Sequence, residues 1–181
     1  MHEKRFNREI EKLRDPDRVT LLEVDRVIDL SLEGLIEPSS VLDIGTGSGL
    51  FAEKFSSRGL LVAGVDANSD MLPVASLFVP KGDFRIGEAE QLPFETDSFD
   101  LLFMGLLLHE VDNLQAAINE AYRVAQKRLA VLEWVYQEQP FGPPLEHRLT
   151  FDKIKAASIS AGFKSIQKIR LTNLVLFLLE K

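Results

Sequence analysis

Residues 41–52, VLDIGTGSGLFA, run from a short apolar stretch through three glycines at alternate positions into a helix-forming stretch. Val41, Leu42 and Ile44 are too few for a buried helix and too apolar for a loop, so they read as a buried strand. Glycines without Cβ allow a sharp turn and a close approach of backbone N–H groups to a ligand, at the start of a helix whose dipole favours anionic groups. A strand, a glycine turn and a helix in direct succession constrain the chain to an α/β layer architecture.

The same alternation continues. A helix is expected over 48–58, ended by Gly59, then a strand over 60–65, a helix over 69–78 and a strand over 83–86. Residues 88–98 contain Pro93 and several polar side chains and read as loop. A strand over 99–104 follows, then Leu114, Ala117, Ile118, Ala121, Val124 and Ala125 at helical spacing, then a strand over 129–135. Thr150 is placed to cap a helix that Gly162 stops, and two β-like runs, 163–171 and 173–179, finish the sequence. Parallel neighbours need a crossover of about a dozen residues, so a gap this short permits only an antiparallel connection. The expectation is an α/β, Rossmann-like sheet of seven strands, mostly parallel with one antiparallel strand near the C-terminus, covered by helices on both faces.

The front of the chain is different. Residues 1–34 are charged, with Phe6, Ile10, Leu13 and then Leu21, Val24, Val27 and Ile28 at helical spacing, which predicts two short helices split near Asp15 and Pro16. A chain of 181 residues is of a size for one domain, read as a helical lid segment over 1–34 and a ligand-binding body over 35–181. The net charge of −7 disfavours a general nucleic-acid binder, whose affinity rests on cations that neutralise phosphates. The absence of cysteine excludes disulfides, thiolate metal sites and a catalytic Cys, predicts no metal site, and fits a cytoplasmic setting. Residues 1–18 lack the apolar core of an export signal, and the longest apolar runs, 101–108 and 174–179, fall far short of the roughly 20 residues that span a bilayer.

Two ligands compete for the glycine turn. Gly47, Gly49 and Ala52 match a dinucleotide fingerprint, with Asp66 as the ribose contact. Against it stand Asp43 inside the first strand, the lack of a second substrate domain, and an acidic stretch after the third strand that a dinucleotide would not use. The chain resembles the class I S-adenosylmethionine-dependent methyltransferases, in particular the type 11 branch that includes the ubiquinone and menaquinone biosynthesis enzymes. Four ordered motifs carry the resemblance over about 41–135: DIGTGSG at 43–49, GVD at 64–66 followed by ANSDM, GEAEQLPF at 87–94, and FD at 99–100 leading through GLLLHE at 105–110.

The resemblance implies the site. Gly45, Thr46, Gly47 and Gly49 would pass along the methionine part of the cofactor, with Asp43 near its ammonium group. Asp66 would accept both ribose hydroxyls, with Ala67 beside it. Glu88 would accept from the adenine amino group, where the family more often has Asp, and the N–H of Ala89, before Glu90, would donate to the ring. Met71 and Leu92 would pack on the adenine faces, while Met104, Gly105 and Leu106 would run beneath the sulfonium end.

His109 and Glu110 follow the fourth strand, on the edge where a methyl group would be presented, and form the candidate base and its orienter. A loop-ordering His is the plainer alternative. Trp134, Tyr136, His147 and Arg148 are candidates for the acceptor side, aromatic for packing and cationic for an anionic group, against a plain turn at Pro140 to Pro144. The expected function is methyl transfer from S-adenosylmethionine, leaving S-adenosylhomocysteine, to a small-molecule acceptor by direct displacement. The fourth motif lacks the Asn/Asp-Pro-Pro-Tyr sequence of members that methylate amides or bases. The rivals are a non-catalytic S-adenosylmethionine-binding partner module and a nicotinamide-dependent oxidoreductase.

Overall fold

The structure is a computed structural model and describes residues 10–181. Seven strands form one sheet: β1 (Ser40–Ile44), β2 (Leu61–Asp66), β3 (Asp83–Ile86), β4 (Phe99–Gly105), β5 (Ala125–Trp134), β6 (Ser165–Arg170) and β7 (Leu174–Glu180), in the order β3-β2-β1-β4-β5-β7-β6. The first five strands are mutually parallel, and β7 runs antiparallel to both β5 and β6. The expected single reversed strand is therefore β7, inserted between β5 and β6 and not on the sheet edge.

The central strands are apolar at consecutive positions because both faces are covered. Leu42, Leu102, Met104, Leu129, Val131 and Phe177 pack on one face with Ala117, Ile118 and Ala121 of α5 (Leu114–Val124) and Ile154 of α6 (Phe151–Ala161). Val41, Leu101, Phe103, Leu132 and Leu176 pack on the other with Val27 and Ile28 of α2 (Val24–Leu32) and Phe51 and Phe55 of α3 (Leu50–Ser57). Phe103 lies between Phe51 and Phe55, with ring centroids 4.7 and 5.3 Å away. α4 (Met71–Phe78) joins β2 to β3.

Arg128, a buried cation in β5, is explained by the end of α2. Its Nη1 donates to the carbonyls of Ser31 and Glu33, and its Nε and Nη2 reach Glu180. The side chain thus satisfies carbonyls that a helix C-terminus leaves without intrahelical donors.

Boundaries shift by one or two residues at several elements and differ most from expectation in two places. β5 begins at Ala125, four residues before the expected 129, because Ala125 is already extended (φ −70°, ψ 139°) and pairs with Phe99 across a register shift. The described N-terminal residues form three pieces, not two: a 3₁₀ turn (Ile10–Arg14), α1 (Pro16–Leu21) capped by Asp15, and α2. The extra break follows from Glu23, whose left-handed φ of 50° stops α1 from continuing into α2. Phe6, the first apolar position of the expected helical spacing, lies outside the described residues.

The sheet order reverses between β1 and β4, so the carboxyl ends of β1, β2 and β4 open around a crevice of the kind in which α/β sheets hold ligands. Gly49 keeps this end compact: its φ is 74°, and a Cβ there would stand 2.9 Å from Cα of Ala75 in α4. Gly49→Ala should destabilise the fold by at least the ~1–2 kcal/mol of a left-handed non-glycine residue, read as a lowered midpoint in urea unfolding; an unchanged midpoint would contradict this packing.

Candidate functional site

The turn after β1 is held from β2. The N–H groups of Gly45 and Thr46 donate to the carbonyl of Val65 at 2.8 and 2.9 Å, and Gly47 N–H donates to Asp66 Oδ2 at 2.8 Å. The other oxygen of Asp66 accepts from Asn68 N–H at 2.9 Å. Burial raises the Asp66 pKa from its ordinary value, opposed by these two N–H donors. A carboxylate has about four acceptor positions, so each oxygen keeps one for a further donor.

Asp43 lies behind the turn, buried, and accepts from Thr46 Oγ1 at 2.8 Å. Burial pushes its pKa up to about 7, opposed by Thr46 and the Ala52 N–H, with the charge of Asp66 adding to the rise.

A cleft of about 1420 Å³ opens over this turn. It brings together Gly45, Thr46, Gly47, Asp66, Ala67, Met71, Glu88, Ala89, Glu90, Gly105, Leu106, His109, Glu110, Trp134 and His147 of the expected residues. Asp43, Gly49, Leu92 and Met104 are buried behind its walls. Glu90 also has a local task, since one oxygen accepts from the N–H groups of Asp112 and Asn113 ahead of α5.

Strap residues 12–22 cover one side of the cleft through Leu13, Leu21 and Leu22, among others. Arg14 fastens the strap: it donates twice to the Ser48 carbonyl, pairs with Glu53 at 2.6 Å and stacks over the Phe78 ring at 3.3 Å.

The far wall is apolar. Trp134 and Phe141 have ring centroids 6.0 Å apart, and Pro143 and Pro144 extend the surface. Beside it lies His109, whose Nδ1 is 2.9 Å from Glu133 Oε2, while Glu110 Oε1 is 3.7 Å from Nε2. Burial alone would lower the His109 pKa, but Glu133, by charge and hydrogen bond, and then Glu110 raise it above its ordinary value, with Arg148 opposing.

Three expectations need correcting. The carboxylate hydrogen-bonded to the His109 ring is Glu133, not Glu110, which stands 3.7 Å from Nε2. Arg148 does not offer its charge to the cleft: its guanidinium donates to the carbonyls of Val135, Gln137, Phe141 and Pro143 and to Gln139 Oε1, and so holds the loop after β5 in place. Tyr136 is 52% exposed and lies outside the cleft, because the chain leaves the sheet at Trp134. Glu133 is the residue that sequence reasoning missed; its one signal is a single acid within the apolar run at 129–135.

An acid whose pKa is raised in the folded state loses stability as pH rises from its unfolded value to its folded one. Asp43 therefore erodes stability between its ordinary 3.8 and about 7, and the loss levels off above. Asp43→Asn should flatten that part of the curve of melting temperature against pH; an unchanged curve would show that Asp43 is not the titrating group.

The family model described as a methyltransferase domain matches residues 42–129. A demethylmenaquinone methyltransferase of Thermotoga maritima is 33% identical over 112 residues, which cover 60% of this chain and 48% of the relative. A malonyl-[acyl-carrier protein] O-methyltransferase of Erwinia billingiae is 34% identical over 84 residues, covering 46% and 34%. The chain thus spans about half or less of the length of these curated relatives. A solved structure of a SAM-dependent methyltransferase from Aquifex aeolicus superposes with a TM-score of 0.79 at 25% identity, covering 94% of this chain and 96% of that one. Residues 42–129 thus match a methyltransferase domain, and the strand order and the superposition give the chain the class I fold of S-adenosylmethionine-dependent methyltransferases.

Proposed function

We propose that this protein transfers a methyl group from S-adenosylmethionine to a small-molecule acceptor by direct displacement. One observation carries the reading: Asp66 and the glycine turn share a single cleft with His109 and the Trp134 wall. At about 1420 Å³ the cleft exceeds the roughly 300–1,000 Å³ of a site for one small ligand, which suits two reactants held side by side.

The residues fit the cofactor. Asp66 has the acceptor positions for two ribose hydroxyls, Glu88 and Ala89 line the cleft for the adenine edge, and Met71 gives the ring an apolar contact. Gly45 and Gly105 line the cleft where the methionine part would pass, and the packing leaves neither room for a side chain: a Cβ would stand 2.9 Å from Leu107 at the first and 2.8 Å from Phe103 at the second. When bound, S-adenosylmethionine supplies a methyl group already activated by its sulfonium. The chain therefore has to align the acceptor in line with the methyl carbon, exclude water and, where the acceptor needs it, take a proton at His109. Trp134, Phe141 and His147 form the acceptor side in this reading. The relatives named for demethylmenaquinone and malonyl-[acyl-carrier protein] make a small or carrier-borne acceptor the natural class, and the net charge of −7 disfavours nucleic acid.

Isothermal titration with S-adenosylhomocysteine, with NADH as control, tests the reading. Micromolar binding of the first alone is expected, and Asp66→Ala should weaken it about tenfold or more, the cost of charge-assisted hydrogen bonds. Binding of NADH alone, or of neither ligand, would contradict it.

A further inference from the structure

Glu133, the acid hydrogen-bonded to His109, lies in the sheet and behind the cleft. It stands at the next-to-last position of β5 with its side chain 1% exposed. An ion so placed costs several kcal/mol unless its oxygens are satisfied. Both are, by two residues that line the cleft. Oε2 lies 2.9 Å and Oε1 3.2 Å from His109 Nδ1, Oε1 accepts from His109 N–H at 3.2 Å, and Oε2 accepts from Trp134 N–H at 3.2 Å. The other charged groups that act on the imidazole are Glu110, 3.7 Å from Nε2, and Arg148, whose donors are held by the loop. Nδ1 is thus committed to Glu133, and Nε2 is the ring nitrogen left for the cleft.

We propose that Glu133 is the positioning residue of a His109 base, fixing the proton on Nδ1 so that Nε2 accepts one from the substrate, and that the methyl acceptor is therefore a weakly acidic hydroxyl. This rests on the methyl-transfer reading. An aromatic amine attacks through its free lone pair and a carboxylate is already an anion, so neither needs an imidazole backed by a buried acid. A phenolic or enolic hydroxyl does. As its O–H proton passes to Nε2, the freed oxygen pair forms the bond to the methyl carbon, and the pair of the breaking carbon–sulfur bond stays on sulfur. The imidazolium, held beside Glu133, then returns its proton to water. The arrangement also accounts for the direction of the His109 pKa, in which two carboxylates outweigh burial.

The first test needs no acceptor. Nitrogen-15 spectra of histidine-labelled protein, with the three histidines assigned by substitution, should show His109 protonated on Nδ1 and bare on Nε2 above its pKa. Glu133→Gln should lower the His109 titration by about one pH unit or more, since burial then acts with less opposition, and Glu133→Asp should restore part of it. A proton on Nε2 in the wild type, or equal titration in Glu133→Gln, would overturn the positioning role. With S-adenosylhomocysteine present, 4-nitrophenol, whose anion is coloured, should ionise at lower pH on the wild type than on Glu133→Gln; equal ionisation, or no binding of the phenol, would overturn the hydroxyl assignment. Failure of S-adenosylhomocysteine to bind the wild type would count against methyl transfer itself, and the tautomer would still judge Glu133 separately.

Discussion

The end of β2 holds the site together. Its Val65 carbonyl takes two N–H groups of the glycine turn, and its Asp66 carboxylate takes a third, so the turn cannot move without the strand. β2 in turn pairs in register with β1 from Ser40 to Ile44, the strand that leads into that same turn. This closed loop of strand, turn and strand fixes where α3 starts and where the strap can close. Arg14 then fastens to Ser48 and Glu53, one on the turn and one in the first turn of α3.

Three acids lie at or near the carboxyl ends of the strands that meet there: Asp43 in β1, Asp66 in β2 and Glu133 in β5. Each is wholly or partly removed from water, a costly state that a fold keeps only where donors satisfy it. The donors are local: Thr46 and Ala52 for Asp43, Gly47 and Asn68 for Asp66, His109 and Trp134 for Glu133. Stability spent on these acids builds a fixed polar framework at and behind a cleft that both charged and apolar side chains line.

Features written in adjacent residues were legible in the sequence. The glycine turn, Asp66 at a strand end and His109 past the fourth strand all depend on local spacing, and the structure gathers them in one cleft. The hairpin of the last two strands was equally plain, because so short a gap leaves no other connection. Where that hairpin docks was not, since the placing of β7 beside β5 depends on contacts such as Trp134 with Leu174, 40 positions apart in this numbering. Glu133 was hidden for the same reason: its partner His109 lies 24 residues away, and an acid in an apolar strand says only that a partner is needed. Arg148 misled because a cation in a loop looks available, and only the fold shows its donors turned onto the loop's own carbonyls.

The most direct measurement is a crystal structure with S-adenosylhomocysteine bound. The ribose hydroxyls should lie on Asp66, the adenine beside Met71, Glu88 and Ala89, and the sulfur toward Gly105 on the His109 side of the cleft. Ligand density elsewhere, or a ribose that leaves Asp66 untouched, would contradict this placement.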